Sequence, residues 1–249
     1  MNLSVVIITL NEEHNLGRTL QAIVGWANEI VVVDSGSSDN TTAIAQQYGC
    51  KVITRAFDGD GPQKHFGVTQ TSNDWVFVLD ADEEVSPELK AEVDTMFSKP
   101  NDYSGFYVPI SLIFLGRLMN YGAEYKMPHL RLFNKKYGNF NHKFVHGGAE
   151  VSGQLGTFKH HVLHYSYKNL QDYLQRFNYY TSRTAKTMHE QGKKSSIWQV
   201  ILRFPFTFFK EYFLRLNVLN GYPGFVWAML SAMYPVVKYA KLRELNQNS

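Results

Sequence analysis

Three β-branched runs in the first eighty residues limit what this chain can become: LSVVIITL at residues 3–10, EIVVVD at Glu29–Asp34 and WVFVLD at Trp75–Asp80, with a shorter KVIT at Lys51–Thr54. They are almost continuously apolar instead of alternating, which suits strands covered on both faces of a parallel sheet. Helical patterns fill the gaps at residues 15–26, 38–48 and 62–71. The order βαβαβαβ predicts an open α/β sheet with right-handed crossovers.

In such sheets ligands bind beyond the carboxyl ends of the strands. The polar residues there are Thr9, Asn11 and Glu12 after the first strand, Asp34-Ser35-Gly36-Ser37 after the second, and Asp80-Ala81-Asp82 after the fourth. All three groups should meet at one edge. Ser86-Pro87-Glu88 then signals a helix start. Beyond it the pattern is mixed, with short strand candidates at residues 105–109, 130–133 and 162–165 and histidine-rich loops between. From Leu170 the chain reads helical, with residues 197–216 its most aromatic part, a turn at Asn220-Gly221-Tyr222-Pro223-Gly224 and an apolar stretch over residues 225–237.

The charge is unevenly spread over the 249 residues. Residues 1–158 carry 12 Lys and Arg against 18 Asp and Glu, a net of −6, and residues 159–249 carry 13 against 4, a net of +9. Aromatics reach 14%, and many lie in the basic tail. A basic, aromatic segment suits nucleic acid, an anionic membrane surface or a solvated face around a core. The nucleic-acid reading is the weakest, because no binding motif accompanies the cations and the acidic strand ends repel phosphate unless a metal bridges them. Cys50 is the lone cysteine, so no internal disulfide forms, as in a reducing compartment. The start, MNLSVVIITLNEE, has no basic n-region and reads as a core strand instead of a secretion signal. No uninterrupted apolar run approaches the ~18 residues of a spanning helix.

Several side chains carry possible chemistry, each beside a plainer role. Asp34 can accept hydrogen bonds from a ligand while Ser38 or Asp39 caps the next helix. Asp80 and Asp82, two apart on an extended turn, can reach one hard cation, since Mg²⁺ commonly takes one or two carboxylates plus water and phosphate; alternatively they are solvated acids at a strand end. Glu83, Glu84 and Glu88 fit a turn and a helix cap. His161 and His164, in KHHVLHYSY, are either metal ligands or ordinary hydrogen-bonded histidines, and Lys64 is either a phosphate-binding cation or a surface lysine.

SVVIITLNEEHNLGRTL, EIVVVDSGSSDNTTAIA, GPQKHFG and WVFVLDADEEVSPE resemble, in order and spacing, the family 2 glycosyltransferases of the Rossmann-like GT-A fold. HLRLFNKK, FVH, HHVLHYSY, NLQDYLQRFNYYT and the NGYPG tail continue the likeness toward the bacterial lipopolysaccharide-core β-1,4-glucosyltransferases. The resemblance implies a mostly parallel sheet flanked by helices over residues 1–168, its donor half in 1–100 and its acceptor half in 101–168, followed by a helical appendage over 169–249. It also implies inverting transfer from a nucleotide sugar, usually UDP-linked, with Mg²⁺ or Mn²⁺. Thr9, Asn11, Glu12 and Asp34 would hold uridine and ribose, and Lys64 would approach the ribose or diphosphate. Asp80 and Asp82 would face the metal-bound diphosphate with Ala81 between them in the nucleotide-sugar set, and His164 would complete the metal or diphosphate shell.

The expected chemistry needs a cation for the departing diphosphate and a carboxylate to deprotonate the acceptor hydroxyl. Relatives commonly carry Val-His-Glu where this chain has Val145-His146-Gly147. The base is then Glu150, the nearest downstream carboxylate, or another group such as Glu124. The implied acceptor is a cell-envelope glycolipid at the cytoplasmic membrane face, with the basic aromatic tail as an interfacial helix pair or as an ordinary helical cap. Two other outcomes stay open: transfer to polyprenyl phosphate, whose acceptor is already anionic, and a nucleotide-sugar-binding protein without catalysis.

Overall fold

The computed structural model describes residues 2–142 and 148–247. Its contacts divide the chain into two compact units, one of Met1–Ser111 with Lys126–Tyr165, the other of Leu112–Tyr125 with Ser166–Ser249.

The first unit opens with β1 (Leu3–Thr9), α1 (Leu16–Ile23), β2 (Glu29–Asp34), α2 (Thr41–Gln47), β3 (Lys51–Thr54), α3 (Asp60–Thr69) and β4 (Trp75–Asp80). It continues through β5 (Glu83–Val85), α4 (Pro87–Phe97) and the long β6 (Tyr103–Phe114), whose last residues form a hairpin with β7 (Arg117–Leu118) in the second unit. The chain returns through β8 (Met127–Asn134), β9 (Gly138–Phe140), β10 (Ala149–Val151), β11 (Gln154–Thr157) and β12 (Val162–His164). The main sheet runs β3-β2-β1-β4-β8-β6-β12-β5, with β11 also on β6. Its first four strands are parallel, and β8 turns the direction by pairing antiparallel with both β4 and β6. The sheet is therefore mixed, with a parallel half where the β-branched runs lie.

Two-sided burial explains those runs. Leu3, Val5, Ile7, Phe77 and Leu79 face one way, against Leu16, Leu20 and Ile23 of α1 and Leu89 and Val93 of α4. Val6, Val31, Val33, Val76 and Val78 face the other way, with Val68 of α3, Phe133 and Phe140. Successive side chains of a strand point to opposite faces, so neither face can turn polar without opening a core. Helix α3 lies so close to the sheet that a Cβ on Gly67 would sit 2.4 Å from Val6 Cγ1, a distance only glycine tolerates. Helix α4 starts where the sequence predicts, with the Ser86 hydroxyl accepting from Leu89 N and proline at the first helical position.

The second unit holds α5 (Leu170–Glu190), α6 (Ile197–Phe209) and α7 (Gly221–Gln247), the last two joined by a π-turn over Lys210–Leu214 and a 3₁₀ turn over Asn217–Asn220. Leu112, Phe114 and Met119 pack with Tyr173, Val226, Trp227 and Leu230. The predicted turn at Asn220-Gly221-Tyr222-Pro223-Gly224 is corrected here, because α7 already begins at Gly221. Proline is tolerated in a first helical turn, where its missing N–H has no partner to lose. Gly224 is required inside the helix, since a Cβ there would lie 1.9 Å from Asn217 O. Among the described residues no helix is long and apolar enough to cross a membrane.

Candidate active site

Parallel register brings the polar strand ends together. Thr9 lies beside Asp34 across β1 and β2, and Ile8 beside Asp80 across β1 and β4. The first cluster is closed on itself. Asp34 is buried, with Oδ2 accepting from Gly36 N and Ser37 N at 2.9 Å each and Oδ1 accepting from the Ser37 hydroxyl. Asn11 adopts a left-handed φ of 56° and its Oδ1 accepts from Ser38 N at 2.9 Å, while Glu12 N donates to Thr41 Oγ1 at 2.8 Å. Glu12 Oε2 also accepts from Asn15 Nδ2. Ser38 is thus tied to Asn11, and neither it nor Asp39 is the N-cap of α2, which is Asn40; Asp39, one residue before the cap, accepts at Oδ1 from Thr41 N at 3.0 Å. Thr9 is buried, and among the described residues its hydroxyl has no hydrogen-bond partner. A buried donor left in that state costs about 1–3 kcal/mol, which marks the end of β1 as a place where a ligand oxygen would be welcome.

The second cluster is ionic. Asp80 Oδ1 lies 2.7 Å from Lys64 Nζ and Oδ2 lies 2.9 Å from Arg131 Nη2. Arg131 Nη2 also reaches Glu83 Oε1 at 3.1 Å, and Glu83 Oε2 accepts from Asp80 N at 2.8 Å. Lys64, Glu83 and Arg131 are all buried. Burial opposes ionisation of Asp80, yet the Lys64 and Arg131 cations hold its carboxyl far below the usual carboxylate range. Burial raises Glu83, with Arg131 opposing and the Asp80 charge adding to the rise. Asp80, expected to share a metal with Asp82, therefore spends both oxygens on cations of the protein.

Asp82 has a different partner. Its Oδ2 lies 3.2 Å from His164 Nε2. Burial works against the charged imidazole, but the Asp82 hydrogen bond and the Asp82, Glu83 and Asp80 charges raise His164 to about 9. Two bonds of Tyr165 fix this pair in place: Tyr165 N donates to Asp82 O at 2.9 Å, and the Tyr165 hydroxyl donates to Glu84 Oε2 at 2.9 Å under the Arg18 guanidinium, 3.9 Å from the ring centroid. Ala81 is buried between the two acids, and its carbonyl accepts from the Thr19 hydroxyl at 2.8 Å.

No group of three or more His, Cys, Asp or Glu side chains among the described residues is arranged to hold a metal. The Asp82–His164 pair nonetheless supplies one carboxylate and, once His164 gives up its proton, one imidazole, a donor set that suits a divalent cation whose other positions go to water and phosphate oxygen.

The two base candidates separate. Glu150 is exposed on β10, where Ala149 and Val151 face the core and Glu150 turns outward, its Oε1 accepting from Asn141 Nδ2 at 2.9 Å. It does not join the ionic cluster. Glu124 belongs to the second unit, where burial and the Glu211 charge raise its pKa. Val145, His146 and Gly147 lie outside the described residues. His161 is held by Ser111, with Nδ1 2.7 Å from the hydroxyl oxygen. Sequence reasoning missed Arg131 and the structural role of Glu83. The available signal was an arginine between Leu130 and Leu132 in a strand, a position that either faces water or meets an acid.

A glycosyl transferase family 2 model matches residues 4–151. A glycosyltransferase of Rickettsia bellii is 33% identical over 256 residues, covering 98% of this chain and 87% of that protein. The lipopolysaccharide core biosynthesis glycosyltransferase LpsC of Rhizobium meliloti is 29% identical over 247 residues, covering 96% and 91%. Among solved structures, glucosyl-3-phosphoglycerate synthase of Mycobacterium tuberculosis with Mn²⁺, UDP and glucosyl-3-phosphoglycerate aligns at a TM-score of 0.39 and 23% identity over 44% of each chain, too loose a match to argue from.

Proposed function

The chain belongs to glycosyl transferase family 2, and from that premise we propose that it moves a hexose, glucose first, with inversion from a UDP-sugar to a hydroxyl of a cell-envelope glycolipid such as lipopolysaccharide core. The observation that carries this reading is the separation of tasks at the end of β4. Asp80 is committed to Lys64 and Arg131 while Asp82 faces His164. The full-length likeness to LpsC supports the acceptor class.

In this reading Thr9, Asn11, Glu12 and Asp34 receive the uridine and ribose, with the unpartnered Thr9 hydroxyl available to the ligand and the loop 34–38 already shaped by its own hydrogen bonds. Lys64 stands on the diphosphate side. Asp82 and His164 would hold a divalent cation, which when bound neutralises the charge that develops on the departing nucleoside diphosphate. Tyr165, clamped by Glu84 and Arg18, keeps that pair in register. The exposed aromatics of α6, with Arg203 and Lys210, rest on an anionic membrane surface at the cytoplasmic face, where a lipid-linked acceptor is presented.

The outward turn of Glu150 favours a second reading, transfer to polyprenyl phosphate, because an ionised acceptor needs no base. Incubation of the purified protein with UDP-sugars, Mg²⁺ or Mn²⁺ and extracted envelope glycolipids, read by product mass spectrometry, tests both. The expected product is a glycolipid heavier by one hexose. A hexosyl polyprenyl phosphate selects the second reading, and no turnover with any donor overturns both. Asp82→Ala should lower the rate by about 10²–10³-fold.

A further inference from the structure

Beside the ionic cluster a cleft of about 400 Å³ opens between α3, β6, β8 and β9. Its walls include Asp60, Lys64, Tyr107, His129, Arg131 and Phe140, and none of the residues lining it comes from β1 or β2. Arg131 is only 7% exposed, and among the described residues its Nη1 has no hydrogen-bond partner while Nη2 serves two carboxylates. Lys64 spends one hydrogen bond on Asp80, and an ammonium carries three donors. The cleft therefore has fixed cationic donors and too few acceptor oxygens. Desolvation and the Arg131 and Lys64 cations push the His129 imidazole down to about 4, so it is neutral near pH 7 and can share a hydroxyl.

We propose that this cleft is an acceptor subsite for a sugar bearing a carboxylate or phosphate, whose oxyanion completes Arg131 Nη1, with Lys64 shared between it and the donor diphosphate. The aromatic walls explain why the anion should arrive on a sugar. Tyr107 and Phe140 offer apolar edges for a pyranose ring, and Asp60 at the rim can accept from its hydroxyls while penalising a ligand of higher negative charge. The same oxyanion chemistry could come from the donor diphosphate. The absence of β1 and β2 from the lining favours the acceptor, because the uridine and ribose are placed at those strand ends. This inference rests on the proposed function and names the acceptor class for the same site.

Calorimetric titration of the full chain with glucuronic acid, glucose 6-phosphate and neutral glucose decides it, first without and then with saturating UDP and Mg²⁺. The expected result is that the charged sugars bind about tenfold more tightly than glucose in the UDP-saturated protein, and that Arg131→Gln abolishes the preference. No preference in the UDP-saturated wild type overturns the inference, as does a preference that UDP removes, since the anion would then be the diphosphate. Should Arg131→Gln fail to fold, Tyr107→Ala replaces it, with weaker binding of all three sugars expected and unchanged binding overturning the aromatic wall. Failure of UDP itself to bind sinks the proposed function, whereas UDP binding without an anion preference sinks only the subsite.

Discussion

The parallel half of the first unit and helix α6 of the second are similarly apolar and lie at opposite extremes of burial. Val5, Val6 and Ile7 of β1 have no exposed surface, whereas none of the thirteen residues of α6 is buried, with Trp198 65% and Phe206 71% exposed. Apolar composition is thus not what decides burial. β1 has a helix on each face and a strand on each edge, while α6 lies along α7 and leaves its remaining aromatics facing out. Large apolar patches left exposed mark interaction surfaces, so the difference is between a core that completes itself and a face that awaits a partner.

The largest effect should come from the completed core. Phe77→Ala removes a fully buried ring that Trp26 meets edge-on at 6.3 Å, and chemical denaturation should show a loss of about 3–5 kcal/mol. A loss below about 1 kcal/mol would break the contrast, since the sheet would then be as loosely held as α6.

An intermediate case sharpens it, because the second unit does bury an acid. Glu124 holds its proton in the native state above its ordinary value of 4.5, mainly through burial. The folded chain therefore binds more protons than the unfolded chain between these two values, and stability must fall as pH rises through that window. Glu124→Gln should flatten this decline in thermal melts across the acid range, and an unchanged pH profile would place the carboxylate in water.

The smallest effect on folding belongs to α6. Phe206→Ala should change stability by less than about 0.5 kcal/mol, yet flotation with anionic vesicles should show roughly tenfold weaker binding, from the lost burial of one aromatic ring. Early unfolding of this variant, or unchanged flotation, would mean that the face is covered by something other than lipid.

Much of the parallel half was legible in the sequence. β2, β3 and β4 have the ends their apolar runs predict; in β2 and β4 burial on both faces leaves polar positions only at the termini, while β3, at the sheet edge, is at most half-buried. The strand-end rule also brought Thr9, Asp34 and Asp80 to one edge. The ionic cluster was less legible, since it depends on β8 returning antiparallel beside β4 from fifty residues away, and nothing local to HLRLFNKK announces that partner. Glu83 read as a turn acid for the same reason, its value as a buried brace for Arg131 arising only from the pairing. The grouping of Leu112–Tyr125 with the C-terminal helices has no signal in periodicity either, because the two meet through scattered apolar side chains and through the bonds of the Asn220 side chain to the backbone of Asn120 and Tyr121.

Helix α6 begins with a complete capping box, in which the Ser196 hydroxyl accepts from Gln199 N and the Gln199 side chain accepts from Ser196 N. Both bonds are local, so the helical shape of this face does not wait for a surface to induce it. Segments that order only on contact surrender several kcal/mol of their gross interaction energy to chain ordering. A face that is rigid beforehand avoids that loss. In the proposed membrane role, α6 should therefore keep more of its interaction energy than a segment that folds on contact.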